Sequence, residues 1–553
     1  MNPSTRLLGA LRPFGHPRVV TMLFLGFSAG VPILLIFSSL SLWLGEAGVE
    51  KSAVTYFSWA ALGYSFKFVW APLVDRLPLP LLSAALGRRR GWMLLSQFAV
   101  AGSILWMASI DPAAGLEASA AATSGADAAT AVTTALTAMA LAAVALGFCS
   151  ATQDIVIDAY RIDSAGSELQ AMMSSAYIAG YRVGMIAAGA GALYLAQLLG
   201  SSVGAYDYEA WRWTYVAMAA VMGVGMLTTL VISEPDVRGG PDGTMALTAA
   251  DRPIAENLRF FAAFLIGVAS FVLAYRAVGD PAFGAPAEAV RVALVAASGN
   301  EAFAGLLAAA LRLAVSLAAA AIVFRTLIAL RLVAASSVRE AYVAPVTDFF
   351  ERYGANVAWL LLALVGMYRV SDIVLGVISN VFYQDMGYTK AEIASVTKVF
   401  GLLMTIAGGF LGGLLAVRFG VLRILLLGAV LASGTNLLFV VLASGESTLG
   451  MLAVVIGADN LAAGLASAAF IAFLSSLTNV SFTAVQYAIF SSLMTLFPKV
   501  LGGYSGSIVE SIGYPAFFVL TALLTVPVIA LIVLARRHLD REVAFAPPSL
   551  RAS

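Results

Sequence analysis

The stretch MLFLGFSAGVPILLIF, residues 22–37, admits two incompatible folds. Inside it lies GFSAG, a match to the G-x-S-x-G elbow of serine hydrolases, with Ser28 in the nucleophile's position. Such an elbow follows a buried strand, opens a helix on a sharp turn, and is served by a later acid and histidine. Here the pattern sits within an apolar run from Val19 to Leu44, about 26 residues, enough to cross a bilayer as one helix. The two histidines of the chain, His16 and His538, flank its hydrophobic part, so neither is placed as a base for Ser28. Gly26 and Gly30 stand four apart, share a helix face and let a second helix approach closely. Pro32 is expected to bend the run beyond it. The stretch reads as a packing surface of a membrane helix, with no catalytic residue.

Composition extends that reading to the whole chain. Of 553 residues 61% are hydrophobic and 11% charged, against about 25% charged in soluble domains, and mean hydropathy is +0.92. No soluble surface can be made from this mixture. The alternating short segments of a β-barrel are missing, which leaves an all-α polytopic membrane protein. The net charge of +1 gives no reason to expect a nucleic-acid partner. Cys149 is the one cysteine, so no internal disulfide or cysteine metal cluster forms, and two distant histidines argue against a zinc site. No cofactor and no obligate protein partner are expected. The first apolar run is too long for a signal peptide and is read as a retained helix.

Hydropathy places fourteen candidate spans. Six lie near 19–44, 53–74, 92–110, 132–157, 171–199 and 211–233. Two lie near 259–278 and 303–331, and six more near 357–382, 393–417, 423–443, 450–477, 484–500 and 515–536. Arg76, Arg88, Arg89, Arg90, Arg418, Arg423, Arg536 and Arg537 fall on one side of this arrangement and few basic residues on the other. The positive-inside rule then puts both termini in the cytoplasm. Residues 111–131, rich in Ala, Ser and Thr, fit a loose outer loop. Residues 234–257 carry three prolines and a Gly-Gly and read as a cytoplasmic linker. Residues 285–298 suit a short interfacial helix.

The halves repeat. LGEAGVEKSAV (44–54) follows the first span and YQDMGYTKAEI (383–393) the ninth, with Glu46, Gly48, Lys51 matching Asp385, Gly387, Lys390 in spacing. Two six-helix halves in parallel repeat imply a major-facilitator architecture with two inserted helices. The expected division is residues 1–233 for the first half, 234–356 for linker and inserted pair, and 357–553 for the second half and tail.

Three runs then carry a more specific likeness: LGYSFKFVWAPLVDR (62–76), GRRRGWMLLSQ (87–97) and ATQDIVIDAYRID (151–163). With the opening GFSAGVPILL and WLGEAGV, they resemble the AmpG-type anhydromuropeptide permeases, closely in the first half and loosely in the second. The resemblance implies proton symport of GlcNAc-1,6-anhydroMurNAc peptides across the bacterial inner membrane, for peptidoglycan recycling and β-lactamase induction. Muropeptide, protons and the bilayer are then the partners. Asp75-Arg76 and Gly87-Arg88-Arg89 match the ends of the facilitator loop motif, although the spacer between them is long and holds Pro78 and Pro80. In that family's fold the loop braces helices and gates the cytoplasmic side. The alternative for its arginines is plain positive-inside anchoring.

Charges away from span ends are the remaining clue, since each costs about 2.5–3.5 kcal/mol at mid-membrane. In the fourth span Gln153, Asp154, Asp158 and Arg161 share one stripe. Asp154 and Asp158, one turn apart, are candidates for proton coupling; Asp158 with Arg161 also reads as a helix-end ion pair. Arg182, beside Tyr177 and Tyr181 in the fifth span, can grip a carboxylate with two parallel bonds or serve as a fixed partner of Asp154. Arg369 and Asp372 in the ninth span either satisfy each other or face a central cavity, Asp372 then adding to proton coupling. Asp459 and Asn460 lie about 13 Å into the twelfth span at 1.5 Å per residue. Lys67 in the second span faces the cavity or snorkels to the interface. Tyr64 and Tyr177 offer rings for sugar faces. The candidate substrate site is thus Tyr64, Lys67, Gln153, Tyr177, Tyr181, Arg182, Arg369, Asp459 and Asn460. No P-loop is present, so transport is expected to be secondary. A carrier of another bulky anion, such as a coenzyme A thioester, is the alternative; a membrane-embedded hydrolase is a more distant one.

Overall fold

The computed structural model describes residues 15–49, 63–114, 125–202, 205–235, 254–279, 284, 286–298, 301–445, 448–502 and 505–545. It is nearly all helix, and 13 helices among the described residues are long and apolar enough to cross a membrane. They match thirteen of the fourteen spans read from the sequence. The remaining one, the second, falls partly on residues 53–62, outside the described residues. Its end is helical as Gly63–Phe66, a tight turn Lys67–Val69, and Ala71–Arg76.

Two span boundaries need correction. The fourth helix runs Gly125–Ser164, so it begins inside the stretch assigned to a loose loop. Alanine, the strongest helix former, dominates there and outweighs the polar residues between. The ninth span starts earlier than expected, with a helix Ala344–Met367 that bends at Gly354 (φ 68°) and a second helix Val370–Asp385. The chain turns at Tyr368 and Arg369 between them. The first helix, Pro17–Leu34, passes into a wider-wound segment Leu35–Ser39 just beyond Pro32, the disturbance expected where an N–H is missing. The linker residues 236–253 lie outside the described residues.

Two compact units divide the chain: Met1–Asp75, Leu79–Asp242 and Phe349–Ser553 form one, and Arg76–Pro78 with Gly243–Asp348 the other. In the smaller unit Ile254–Gly279 packs along Glu301–Ala329, with the short helix Pro286–Ser298 at the place the sequence suggested. Arg312 pins that pair: its guanidinium lies 4.0 Å from the Tyr275 ring centre and donates to the Tyr275 carbonyl at 2.6 Å.

In the larger unit the repeat is visible in backbone geometry. Gly48 (φ 81°) and Gly387 (φ 85°) close the first and ninth spans in the left-handed conformation that glycine tolerates. The residue after each bonds five positions back, Val49 to Leu44 at 2.9 Å and Tyr388 to Tyr383 at 3.2 Å. The acids ahead of these glycines also correspond. Glu46 accepts from Trp211 at 2.8 Å, and Asp385 accepts from Tyr514, each at the start of the last span of its half. Gly87 (φ 92°) and Gly420 (φ 87°) likewise open the third and eleventh spans.

The opening stretch is resolved by the contact of the first and fifth spans. A Cβ on Gly26 would lie 2.2 Å from the Tyr177 carbonyl oxygen, and one on Gly30 2.0 Å from that of Tyr181. Gly180 and Gly184 answer from the other helix against Leu23 and Phe27 at 1.9 and 2.2 Å. Four glycines thus let two backbones touch, the arrangement that small residues make between membrane helices. Ser28 is fully buried and accepts from Gln153 at 2.9 Å.

Candidate functional site

A cavity of about 380 Å³ lies in the larger unit where the halves meet. The fifth span gives it Arg182; the ninth gives Arg369, Asp372, Ser379 and Tyr383; the tenth to twelfth give Thr397, Asn436, Asp459 and Asn460. The turn at Tyr368 and Arg369 is what delivers Arg369 here, released from regular helix. Its Nε stands 3.4 Å from Asp372 Oδ2, and its Nη1 donates to Ser467 Oγ at 3.0 Å. Asp459 accepts from Thr435 at 3.2 Å, and Asn460 Oδ1 accepts from Thr405 at 2.9 Å. Arg182 differs from all of these. Its one polar contact among the described residues is the Met185 sulfur at 3.7 Å. It is a guanidinium facing a cavity with no carboxylate on it.

A second group is centred in the first half, and its charges pair with one another. Lys67 Nζ is 3.7 Å from Asp158 Oδ2, and Asp158 Oδ1 takes Arg161 Nη2 at 3.2 Å. Arg161 is fully buried; its Nη1 donates to Ser174 at 3.1 Å and to Ser475 of the second half at 2.7 Å. Its guanidinium also lies 5.2 Å from the Tyr487 ring centre. Lys67 is only 5% exposed, so the snorkelling alternative is set aside: an opposite charge within reach holds it inside. Asp154 accepts from the Tyr177 hydroxyl at 3.4 Å, and Tyr64 is hydrogen-bonded to Ser150. Tyr177 and Tyr181, ring centres 6.0 Å apart, run along the fifth span toward Arg182. Asp154, Tyr177 and Tyr181 do not line the cavity, and among the described residues Asp154 shares no ion pair with Arg182. Gln153 points away, to Ser28.

The loop residues build a third group, a clamp between the halves. Arg89 Nη1 reaches Asp75 at 2.9 Å and its Nε reaches Asp163 at 2.8 Å. Asp75 in turn accepts the backbone N–H groups of Ala484 at 3.2 Å and Val485 at 2.9 Å. These open the helix Thr483–Gly502 of the second half, whose positive end favours a carboxylate. Thr483 Oγ1 donates to Asp163 at 2.8 Å. Arg88 donates to the Asp75 carbonyl at 2.5 Å. Glu234 caps the third span, accepting from Arg89 and Arg90 N–H at 2.8 and 3.0 Å, and Gly87 leaves it room, since a Cβ there would lie 2.4 Å from its carboxyl carbon. Arg76 belongs to the smaller unit, where it meets Glu340 at 2.9 Å and the Ser337 carbonyl at 2.8 Å.

Several of these partners escaped the sequence. Arg161 is legible in the sequence as a member of the polar stripe and of a helix-end pair, whereas its partners Ser475 and Tyr487, like Asp163 and Glu234 of the clamp, are not. Asp163 stood within a quoted motif; Ser475 and Tyr487 are uncharged and carried no signal. For Ser28, no histidine approaches, since His16 caps the first helix by accepting from Arg18 N–H.

The chain has recognisable relatives. A family model described as Acetyl-coenzyme A transporter 1 matches residues 19–198. A Rickettsia felis protein carrying the name transporter AmpG 4 is 26% identical over 95% of this chain and 98% of its own length. The anhydromuropeptide permease of Escherichia coli K12 is 26% identical over 96% of this chain and 82% of its own. Among solved structures, the proton:xylose symporter XylE aligns with a TM-score of 0.53 at 10% identity, covering 96% of this chain and 95% of that one. The Escherichia coli fucose:proton symporter FucP aligns at 0.53 and 11%, covering 95% and 99%. The likenesses to the relatives and to the solved structures span both halves and agree with the repeat geometry. The chain is therefore a multi-pass inner-membrane permease with the major-facilitator fold, similar along nearly its whole length to the AmpG-type permeases, and not an enzyme.

Proposed function

We propose that the chain imports GlcNAc-1,6-anhydroMurNAc peptides, driven by protons, with Arg182 as the anchor for a peptide carboxylate. The observation that carries this reading is the uncompensated guanidinium at the cavity, facing Arg369 and the acids Asp372 and Asp459. A carboxylate arriving there gains a charged hydrogen-bond pair without displacing an existing one. Asn436, Asn460, Thr397 and Ser379 add hydrogen-bonding groups suited to sugar hydroxyls and amides. Proton uptake falls to Asp372, whose neutralisation frees Arg369, and to Asp154 and Asp158 on the first-half stripe. Protonating Asp158 weakens its ties to both Lys67 and Arg161, and Arg161 is the residue that reaches Ser475 across the halves. The clamp supports a cycle in which the Asp75 end is closed while the cavity loads, and opens when Asp75 leaves the helix of Thr483–Gly502. Both termini lie in the cytoplasm in this scheme.

The test is uptake of labelled anhydro-disaccharide, with and without its peptide, into proteoliposomes at two external pH values. Uptake that needs both the peptide carboxylate and an inward proton gradient is expected; uptake indifferent to both would overturn the reading.

A coenzyme A thioester is the second reading, favoured by the family match over residues 19–198. That match ends before Arg369, Asp372 and Asp459, so it concerns the half that contributes least to the cavity. Competition separates the two: excess acetyl-coenzyme A should leave muropeptide uptake unchanged, whereas strong inhibition would move the assignment to the thioester.

A further inference from the structure

The smaller unit holds a cavity of its own, about 540 Å³, where the starts of Ile254–Gly279 and Ala335–Val338 meet the end of Glu301–Ala329. Its walls are mostly apolar: Phe260, Ile328, Leu332 and Val333 with Ala334 and Ala335. Its rim carries Arg259 and Arg331, both exposed. Among the described residues neither guanidinium has a hydrogen-bond, carboxylate or ring partner. The single acid at the rim, Glu256, is engaged by the Ser337 hydroxyl at 2.7 Å, and the charged lining residues sum to one net positive charge.

Arg331 stands out for a second reason. It follows the helix end with φ 57°, and Leu332 N–H bonds back to Leu327 O at 3.0 Å. That is the left-handed closing position at which glycine is favoured and a branched chain is strained. An arginine there adds a charge at the cavity where the backbone alone asks for glycine. The helices around it are apolar and little covered: protein buries 6% of the Leu311–Ala329 window and 22% of that of Ala255–Gly279.

We infer that this cavity binds the headgroup of an anionic phospholipid, with Arg259 and Arg331 on the phosphodiester and the apolar walls against the acyl chains. Basic pockets between membrane helices suit such headgroups. A free phosphate would leave the apolar walls unused, which is why the lipid is the occupant assigned. The inserted pair thereby acquires a role of its own, holding a lipid, independent of what the central cavity carries.

The experiment uses the full-length protein in nanodiscs of phosphatidylethanolamine containing a minor share of phosphatidylglycerol, with retained lipid counted by native mass spectrometry after release. The wild type is expected to retain phosphatidylglycerol in preference to phosphatidylethanolamine. R259Q and R331G should each lower that preference about fivefold, and the double variant should abolish it. R331G relieves the backbone strain, so its thermal midpoint should not fall; loss of lipid then reports binding and not misfolding. Equal retention of the two lipids by the wild type, or undiminished preference in the double variant, overturns the inference. So does complete displacement of phosphatidylglycerol by millimolar inorganic phosphate, which would show a free-anion site.

Discussion

The two halves hold their buried charges in opposite ways. In the first half Lys67, Asp158 and Arg161 are shut from solvent, with side-chain exposures of 7%, 8% and 0%, and each has a charged partner. In the second half Arg369 and Asp372 touch at 3.4 Å yet remain 25% and 20% exposed at the cavity. The same repeat has thus buried ionisable groups among its helices twice, once as a sealed network and once as a lined opening. Arg182 belongs to the first half by sequence but to the opening by position. The difference teaches that a charge within a span is not by itself a substrate contact: what decides is whether its partners are already supplied by protein.

Removing a charge should therefore act on stability in the sealed group and on transport at the opening. The largest effect is expected for Arg161→Met. It leaves Asp158 buried with one partner fewer and cuts the link to Ser475, and loss of one member of a buried pair costs about 3–5 kcal/mol. Thermal unfolding in detergent should show a clear drop in midpoint. An unchanged midpoint would mean that the network contributes little to the fold and that the contrast between the halves is false.

Next is Arg182→Met. No protein carboxylate loses its partner, so stability should hold, while uptake at limiting substrate should fall about 10- to 100-fold, the worth of a hydrogen bond to a charged group. Initial uptake rates in proteoliposomes, measured beside thermal midpoints, check both halves of the statement. A variant that unfolds but still transports when folded would reassign Arg182 to the scaffold.

The sequence made one side of this contrast easy to read. Charges in an apolar background announce themselves, so Lys67, Asp154, Arg182, Arg369, Asp372 and Asp459 were all visible. So was the repeated acid–glycine pattern, because the turn geometry at Gly48 and Gly387 needs that residue type. What completes each site was hidden. Ser475 lies 314 residues from Arg161, and serine or tyrosine within a membrane helix is too ordinary to mark. Whether Lys67 snorkels or pairs depends on the distance to Asp158, which spacing within one helix cannot supply. The start of the fourth helix is hidden for a different reason: alanine, serine and threonine together read as loop, although the alanine share suffices for helix.

Asp372→Asn sharpens the comparison from the exposed side. The amide has nearly the shape of the acid and stands for its protonated form. As a partly exposed ion pair with Arg369, the site should contribute no more than about 1 kcal/mol to stability. If Asp372 takes the coupling proton, the variant should exchange substrate across the membrane yet no longer accelerate uptake when the outside is acidified. Uptake that still follows the imposed pH gradient would pass the coupling role to Asp154 or Asp158.

The smallest effect is expected where the sequence made its boldest suggestion. Ser28 accepts from Gln153 at 2.9 Å and lies where a Cβ on Gly225 would come within 2.2 Å of its hydroxyl. Its oxygen is therefore enclosed by protein, with no room for an ester carbonyl to approach. Ser28→Ala leaves the Gln153 amide without that acceptor, a loss of about 1 kcal/mol, and removes no group from the cavity. Uptake per folded molecule should match the wild type, and a fluorogenic ester should be turned over by neither protein. Esterase activity present in the wild type and absent from the variant would restore the hydrolase reading of GFSAG. Intact uptake with a slightly lower midpoint would show why the pattern is there: Gly26 and Gly30 seat the fifth span, and the small hydroxyl between them fits against Gln153 of the fourth span and Gly225 of the sixth.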